Sequence, residues 1–322
     1  MKVLVTGASG MLGGAAAAQI IAAGHDIRTF QRRPSGVKGA EDVAGSITDA
    51  GAVATAVEGM DAVVHLAAKV SVAGRLHEFQ RINVDGTLLL LDAARRAGVG
   101  KLLFISSPSV AHTGAPISGD GAEPATPDLA RGNYAKTKAK AELAVLAADA
   151  PNFQTSALRP HIVWGPGDTQ LVERVLARAA AGRLPLMDSG TALIDTTYID
   201  NAASAIAAAL ERMSAIRGRA LVVTNGEPRP IGELLAGICA AGGVPGPRLR
   251  LPGGVARIAG VVVEKTWERF GLKDEPPLTR FLAEQMSTAH WFDQRRTQEL
   301  LDWKPSVSID EGLRHLAAHY GR

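Results

Sequence analysis

Met1-Lys2-Val3-Leu4-Val5-Thr6-Gly7-Ala8-Ser9-Gly10-Met11-Leu12-Gly13 decides the fold. Residues 2–5 are a short run, mostly β-branched and apolar, the form of a buried parallel strand. Glycines follow at once, and after them residues 12–23 are apolar, alanine-rich and end at Gly24, a plausible helix C-cap. Strand, glycine loop, helix is the context that a dinucleotide-binding fingerprint requires. Glycine lets the backbone turn tightly and approach a pyrophosphate. The helix N-terminus then presents free N–H groups and a positive dipole end to it. The spacing is Gly7-x-x-Gly10-x-x-Gly13, and the loop predicts cofactor contacts from Gly7, Ser9, Gly10, Met11, Leu12 and Gly13.

Residues 25–30 read as the second strand. Asp26 stands at about the distance from the glycines where a ribose-binding acid is expected, but it begins the strand, whereas ligands sit beyond strand carboxyl ends. That carboxyl end is Gln31-Arg32-Arg33. It offers no carboxylate to a ribose diol and two guanidiniums to a 2′-phosphate. The expected cofactor is therefore NADP(H), with Arg32 as the main contact and NAD as the alternative.

The alternation continues with a strand at 42–47, a helix at 49–58, a strand at 61–66, a long helix at 79–97 and a strand at 101–106. This rhythm predicts an α/β fold with a doubly wound parallel sheet. Strand ends should line the cofactor: Ser46 and Ile47 near the adenine, and Leu66, Ala67, Ala68 and Lys69 under the ribose and pyrophosphate. The fifth strand ends in Ser106-Ser107-Pro108-Ser109, and residues 110–128 read as irregular. The next helix begins near Gly132-Asn133 and carries Tyr134-Ala135-Lys136-Thr137-Lys138. Residues four apart share a helix face. An ammonium at Lys138 near the Tyr134 phenol would lower its pKa and make it a usable acid or base.

A sixth strand at 153–158 closes on Arg159-Pro160. Beyond it the rhythm changes to a turn at 164–168, a helix at 171–181, an extended run at 193–198, a helix at 202–213 capped by Asp200, a strand at 220–224 and a helix at 231–241. The expected division is a cofactor domain of residues 1–164 and 192–225, and a smaller, mostly helical substrate domain of residues 165–191 and 226–322.

Composition narrows the partners. Apolar residues make up 46% of the 322 and charged residues 21%, as in ordinary globular proteins. The net charge is +3, with 35 Lys and Arg against 32 Asp and Glu, and no basic run suggests a nucleic-acid groove. Cys239 is the single cysteine, so no intrachain disulfide or cysteine-rich metal site is expected and a reducing cytoplasm fits. The opening apolar run is too short for a signal-peptide core, and no stretch approaches the ~18 apolar residues of a membrane span.

Gly7-x-x-Gly10-x-x-Gly13, the serine ending strand five and Tyr134-x-x-x-Lys138 together resemble the extended short-chain dehydrogenase/reductases. Further words support this: His65-Leu66-Ala67-Ala68, Asn83-Val84-Asp85-Gly86-Thr87, Arg159-Pro160-His161-Ile162-Val163-Trp164-Gly165-Pro166-Gly167-Asp168, and Tyr198-Ile199-Asp200-Asn201. The last two resemble the 3β-hydroxysteroid dehydrogenase branch. Asn225-Gly226-Glu227-Pro228, Pro277-Leu278-Thr279-Arg280-Phe281 and His290-Trp291 look most like bacterial 2-alkyl-3-oxoalkanoate reductases, relatives of the sterol-4-carboxylate 3-dehydrogenases.

The resemblance implies Tyr134 as proton donor and acceptor, Lys138 on the nicotinamide ribose, and Ser107, three residues before Val110, as the catalytic serine. It implies Pro160, Ile162 and Val163 as further cofactor contacts and Asn83 as support for a proton relay. The implied reaction is hydride transfer between the nicotinamide and a ketone or secondary alcohol of a small apolar substrate, foremost the reduction of a 2-alkyl-3-oxoalkanoate. A 3β-hydroxysteroid or sterol-4-carboxylate dehydrogenase and a nucleotide-sugar epimerase or dehydratase are the alternatives. Pro108-Ser109, in place of an Asp-Glu pair, counts against the dehydratase. A β-oxy acid needs a cation for its carboxylate, with His161 and Lys69 as candidates. Residues 255–263, with Trp267 and Phe270, read as a helical stretch that is either core or a lipid-facing wall with a peripheral membrane contact. Relatives often dimerise through the helices at 79–97 and 134–148, so a homodimer is expected. No metal is expected.

Overall fold

Residues 2–5 do form a central strand. The computed structural model describes residues 1–71, 74–270 and 278–322. The chain opens with β1 (Lys2–Thr6), α1 (Met11–Ala22), β2 (Asp26–Gln31), β3 (Glu41–Ala44), α2 (Ala50–Val57), β4 (Ala62–His65) and α3 (Leu76–Phe79). A π-helical stretch Gln80–Asp85 leads into α4 (Gly86–Arg96) and β5 (Lys101–Ile105). Next come a 3-10 turn Pro108–Ala111, β6 (Ile117–Asp120), α5 (Gly132–Ala147), β7 (Gln154–Pro160), β8 (Val163–Trp164) and α6 (Val172–Ala180). Then follow β9 (Pro185–Met187), β10 (Leu193–Ile194), β11 (Thr197–Tyr198), α7 (Ile199–Glu211), α8 (Met213–Ile216), β12 (Ala220–Val223), β13 (Arg229–Pro230) and α9 (Ile231–Ala241). The chain closes with β14 (Leu249–Leu251), α10 (Gly253–Phe270), α11 (Arg280–Ser287), β15 (His290–Phe292), α12 (Arg295–Leu301) and α13 (Ile309–His319).

Seven strands form one sheet in the order β12-β7-β5-β4-β1-β2-β3, and all of its pairings are parallel. The order reverses between β1 and β4, which opens a crevice beyond their carboxyl ends. Strand side chains alternate between two cores. Val3, Val5, Val64, Leu103 and Ile105 pack with Ala16, Ile20, Ile206 and Leu210 of α1 and α7. Leu4, Val63, Leu102 and Phe104 pack on the other face with Val53, Leu90, Ala94, Ala141 and Val145 of α2, α4 and α5. The doubly wound α/β architecture is as expected from the sequence.

Four short strands form a second sheet in the order β13-β10-β15-β6. A third core joins Trp164, Val175, Leu234, Leu235, Ile238 and Leu316 of α6, α9 and α13 with β8.

Four local expectations are corrected. The helix expected at 79–97 is broken by the π stretch, which inserts an extra residue per turn and re-aims Asn83. The irregular stretch 110–128 holds β6, which pairs with β15 far along the chain. The extended run at 193–198 is two strands, interrupted at Asp195 and Thr196. There the Asp195 carboxylate accepts from Thr224 Oγ1 at 2.6 Å, and Thr196 Oγ1 accepts from Trp164 Nε1 at 2.9 Å. Asp200 lies inside the first turn of α7 rather than capping it, and no side chain caps that end. Pro277 of the C-terminal word lies outside the described residues.

Candidate active site

The glycine loop is shaped by close approach. Gly7 has φ +80°, and a Cβ there would stand 2.8 Å from Ala67 N. A Cβ at Gly13 would stand 2.3 Å from Gly7 O, so the third glycine lets α1 press against the loop. Gly7 N donates to Phe30 O at 3.1 Å. Ser9 and Gly10 are exposed, Met11 and Leu12 half-buried, and no side chain caps α1. This tight backbone at an uncapped helix N-terminus fits a pyrophosphate.

At the end of β2, Arg32 and Arg33 are exposed, and neither has an ion-pair partner among the described residues. Gln31 is buried and its Nε2 donates to Thr29 Oγ1 at 3.0 Å and Asp42 Oδ1 at 3.2 Å. Hydrogen bonds from Ser35 and Thr29 hold the Asp42 carboxyl below its ordinary range. A carboxylate therefore does stand beside this strand, supplied by β3. Ser46 bonds Thr48 through their hydroxyls at 2.9 Å, and Ile47 is buried, its side chain leaving no room for a Cβ at Gly86.

The end of β4 is fixed by a directed chain of protons. Ala67 N donates to Thr6 Oγ1 at 3.1 Å, and Thr6 Oγ1 lies 2.7 Å from His65 Nδ1. His65 Nε2 lies 3.0 Å from Thr87 Oγ1, which gives its own proton to Asn83 O at 2.7 Å. Thr87 has one hydroxyl proton, so it accepts from His65 Nε2–H. Nδ1 is then bare and accepts from Thr6. Burial first, and the Lys138 charge second, push the His65 pKa down to about 3, which keeps the ring neutral.

Asn83 continues the chain. Its Oδ1 accepts from Lys69 N at 2.7 Å, and its Nδ2 donates to Lys69 O at 3.2 Å and Thr137 Oγ1 at 3.1 Å. The π stretch thus clamps the Leu66–Lys69 segment to α5 at the turn between Tyr134 and Lys138. Leu66, Ala67 and Ala68 stay half-buried.

Lys138 is buried, and its Nζ donates to Ile105 O, the last residue of β5, at 2.5 Å. The ammonium also sits 3.8 Å from the Phe104 ring centroid. Burial pushes its pKa down to about 7, against a raising effect from Glu142. Tyr134 keeps part of its surface exposed, yet desolvation of the phenol pushes it up to about 12. The expected lowering of the Tyr134 pKa by Lys138 is thus corrected. The shared helix face is real, but the ammonium points to a strand carbonyl and dehydration dominates.

Ser107 starts the 3-10 turn, and its Oγ accepts from Ser109 N at 3.3 Å and Ser109 Oγ at 3.0 Å. The Ser107 proton remains available to donate. Ser106 Oγ is buried with no hydrogen-bond partner among the described residues. The pairing of Ile105 with Leu158 places Ser107 and Pro160 two residues further on at the same sheet edge. Ile162 follows with φ +43°, a strained conformation for a β-branched residue, and Val163 begins β8.

Neither candidate cation is free. Lys69 pairs with Glu78. His161 donates from Nδ1 to Asp195 O at 2.6 Å, and burial pushes its pKa down to about 4. The sequence reading missed Thr6, His65, Thr137 and Ser109 as supports. Of these only His65, a polar residue closing an otherwise apolar strand, carried a local signal. Among the described residues no cluster of three His, Cys, Asp or Glu could hold a metal.

The chain is similar to known proteins along its length. A 2-alkyl-3-oxoalkanoate reductase of Stenotrophomonas maltophilia is 42% identical over 99% of this chain and 99% of its own. A 3-beta-hydroxysteroid dehydrogenase of Mycolicibacterium neoaurum is 28% identical over 99% of this chain and 91% of its own. The fold matches DesIV, a dTDP-glucose 4,6-dehydratase from Streptomyces venezuelae with NAD and TYD bound, at a TM-score of 0.77 and 22% identity, covering 100% of this chain and 97% of that one. Residues 3–224 match the model of the NAD dependent epimerase/dehydratase family, and the chain belongs to that family.

Proposed function

We propose that this chain is an NADP(H)-dependent oxidoreductase that reduces a 2-alkyl-3-oxoalkanoate to the 3-hydroxy acid. Residues 1–164 and 192–225 hold the nucleotide, and residues 165–191 and 226–322 receive the apolar substrate. The supporting observation is the bond from Lys138 to Ile105 O, which draws the Tyr134 helix onto the strand end that carries Ser107. The full-length likeness to a reductase of that name supports the substrate class.

The nicotinamide supplies the hydride when bound. Gly7, Ser9, Gly10, Met11, Leu12 and Gly13 hold the pyrophosphate, Arg32 a 2′-phosphate, and Ser46 and Ile47 the adenine. Leu66, Ala67, Ala68 and Lys69, with Pro160, Ile162 and Val163, line the rest, and Lys138 holds the nicotinamide ribose. Ser107 and Tyr134 donate hydrogen bonds to the ketone oxygen. As that oxygen gains charge, Tyr134 gives it a proton, and Ser109 keeps the Ser107 hydroxyl aimed.

The decisive assay follows oxidation of NADPH, with NADH in parallel, against 2-alkyl-3-oxo acids and 3-oxo-sterols. Turnover of the acids with NADPH is expected. Turnover of sterols alone would favour the steroid dehydrogenase reading, which the M. neoaurum relative supports. A bound cofactor with no net absorbance change would instead mark an epimerase. The proposed state is a cytoplasmic homodimer built on α4 and α5, where Leu88 and Leu143 are 46% and 42% exposed.

A further inference from the structure

α10 is packed inside out. Its inner face is small: Ala256 is buried, and a Cβ added at Gly260 would stand 2.5 Å from Arg280 N, so α10 and the start of α11 meet backbone to backbone. Four of its large apolar side chains point away, while Val261, Val263 and Trp267 are half-buried. Val255 is 56% exposed, Ile258 70%, Val262 59% and Phe270 73%. The spacing 255, 258, 262 is i, i+3, i+7, one stripe of a helix. A helix that only covered a core would turn this stripe inward. Scattered exposed apolar residues are normal, but a continuous row on one helix marks a contact surface.

Cations frame the stripe. Arg250 lies on β14, which leads into α10, with Arg248 just before it, and Arg257, Lys265 and Arg269 lie on α10 itself. All five are exposed, and among the described residues none has an ion-pair partner. Two nearby carboxylates are engaged elsewhere. Asp188 accepts from Gly253 N at 2.7 Å, and Glu264 accepts from Arg280 N at 3.1 Å.

We propose that the outer face of α10 docks on an anionic lipid surface. Two physical points select that occupant over a second copy of the chain. One row of four side chains is far narrower than the roughly 800 Å² per partner of a stable protein interface. A two-fold self-contact would also bring the Arg257, Lys265 and Arg269 charges of both copies into one interface, whereas lipid phosphates complement them. An amphipathic helix with aliphatic and aromatic residues on one side and cations beside them lies in the plane of a lipid interface. Among the described residues no helix is long and apolar enough to cross a membrane, so the contact is peripheral. The proposal is independent of which ketone is reduced.

The test is co-sedimentation of the full chain with phosphatidylglycerol/phosphatidylcholine vesicles and with pure phosphatidylcholine vesicles, at low and high salt. Binding to the anionic vesicles is expected, weakening as salt screens it. The double variant Ile258→Ser/Val262→Ser should lose about tenfold or more of that binding, and so should Arg250→Glu/Arg257→Glu, both with an unchanged Tm. Absence of binding, undiminished binding by the variants, or equal binding to neutral vesicles would overturn the proposal. So would a wild-type dimer, seen by light scattering, that becomes monomeric in Ile258→Ser/Val262→Ser.

Discussion

The Lys138 ammonium is bonded to the carbonyl of Ile105 and lies across the Phe104 ring, a side chain of one helix anchored to the end of a strand. Burial brings its pKa down to about 7, so the charge is held at a cost in solvation. Lys138→Met keeps the length and removes the buried charge. Turnover should fall about 100-fold or more while Tm holds or rises. Tyr134→Phe should likewise abolish turnover yet leave cofactor affinity nearly intact. Steady-state kinetics, calorimetric cofactor titration and thermal melts of both variants check the pair. Near-normal kcat in Tyr134→Phe would remove Tyr134 from its role.

Asn83 is 1% exposed and bonds Lys69 N, Lys69 O and Thr137 Oγ1 through one amide. Asn83→Ala removes three hydrogen bonds and leaves Lys69 N and Lys69 O without that partner, whereas Thr137 Oγ1 still donates to Asn133 O. At about 1–3 kcal/mol for each unsatisfied group, partly relieved by water, a net loss of about 3 kcal/mol is expected. Urea unfolding measures it. Asn83→Asp should also destabilise, because a carboxylate can accept from Lys69 N but cannot donate to Lys69 O.

The sheet was legible because its central strands β1, β4 and β5 are apolar runs that end in small or polar residues, so period and punctuation agree. The second sheet was not. Its strands are two to four residues long, too short for a pattern, and β6 pairs with β15 across much of the chain. The Tyr134/Lys138 face was legible from spacing alone. What Lys138 touches was not, since Ile105 lies 33 residues away. The π stretch also hid behind a sequence that reads as continuous helix, although it aims Asn83 at Lys69 and Thr137.

Buried neutral histidines make the fold acid-sensitive. Burial depresses the His65 and His290 pKa values from 6.5 to about 3 and that of His161 to about 4, and lowers that of His112. Their contribution to stability is complete above pH 6.5, where both states are neutral. As pH falls below that, the unfolded chain takes up protons that the folded chain refuses until about pH 4. Asp195 acts oppositely, because burial raises its pKa from 3.8 to about 6 and the folded state takes its proton first. Leaving His112 aside, three histidine protons less one for Asp195 leaves two, so stability should fall by about 3 kcal/mol per unit near pH 5. Urea midpoints at pH 7, 6 and 5 read this slope. His65→Gln, which can keep a donor and an acceptor, should make it shallower by about one proton.

Arg32 and Arg33 project from the end of β2 with no ion-pair partner among the described residues, while Asp42 on the neighbouring strand is occupied by Thr29, Gln31 and Ser35. A 2′-phosphate would meet two free guanidiniums, whereas a ribose diol would find the carboxylate already bonded. Arg32→Ala should therefore weaken NADPH binding about tenfold or more and leave NADH binding almost unchanged, with Arg33→Ala smaller in the same direction. The contrast should shrink as salt rises, because both arginines are exposed to screening. Parallel titrations of the two cofactors against wild type and variants give the ratio. Equal loss for both cofactors would place Arg32 on the shared pyrophosphate and leave the selectivity to another residue.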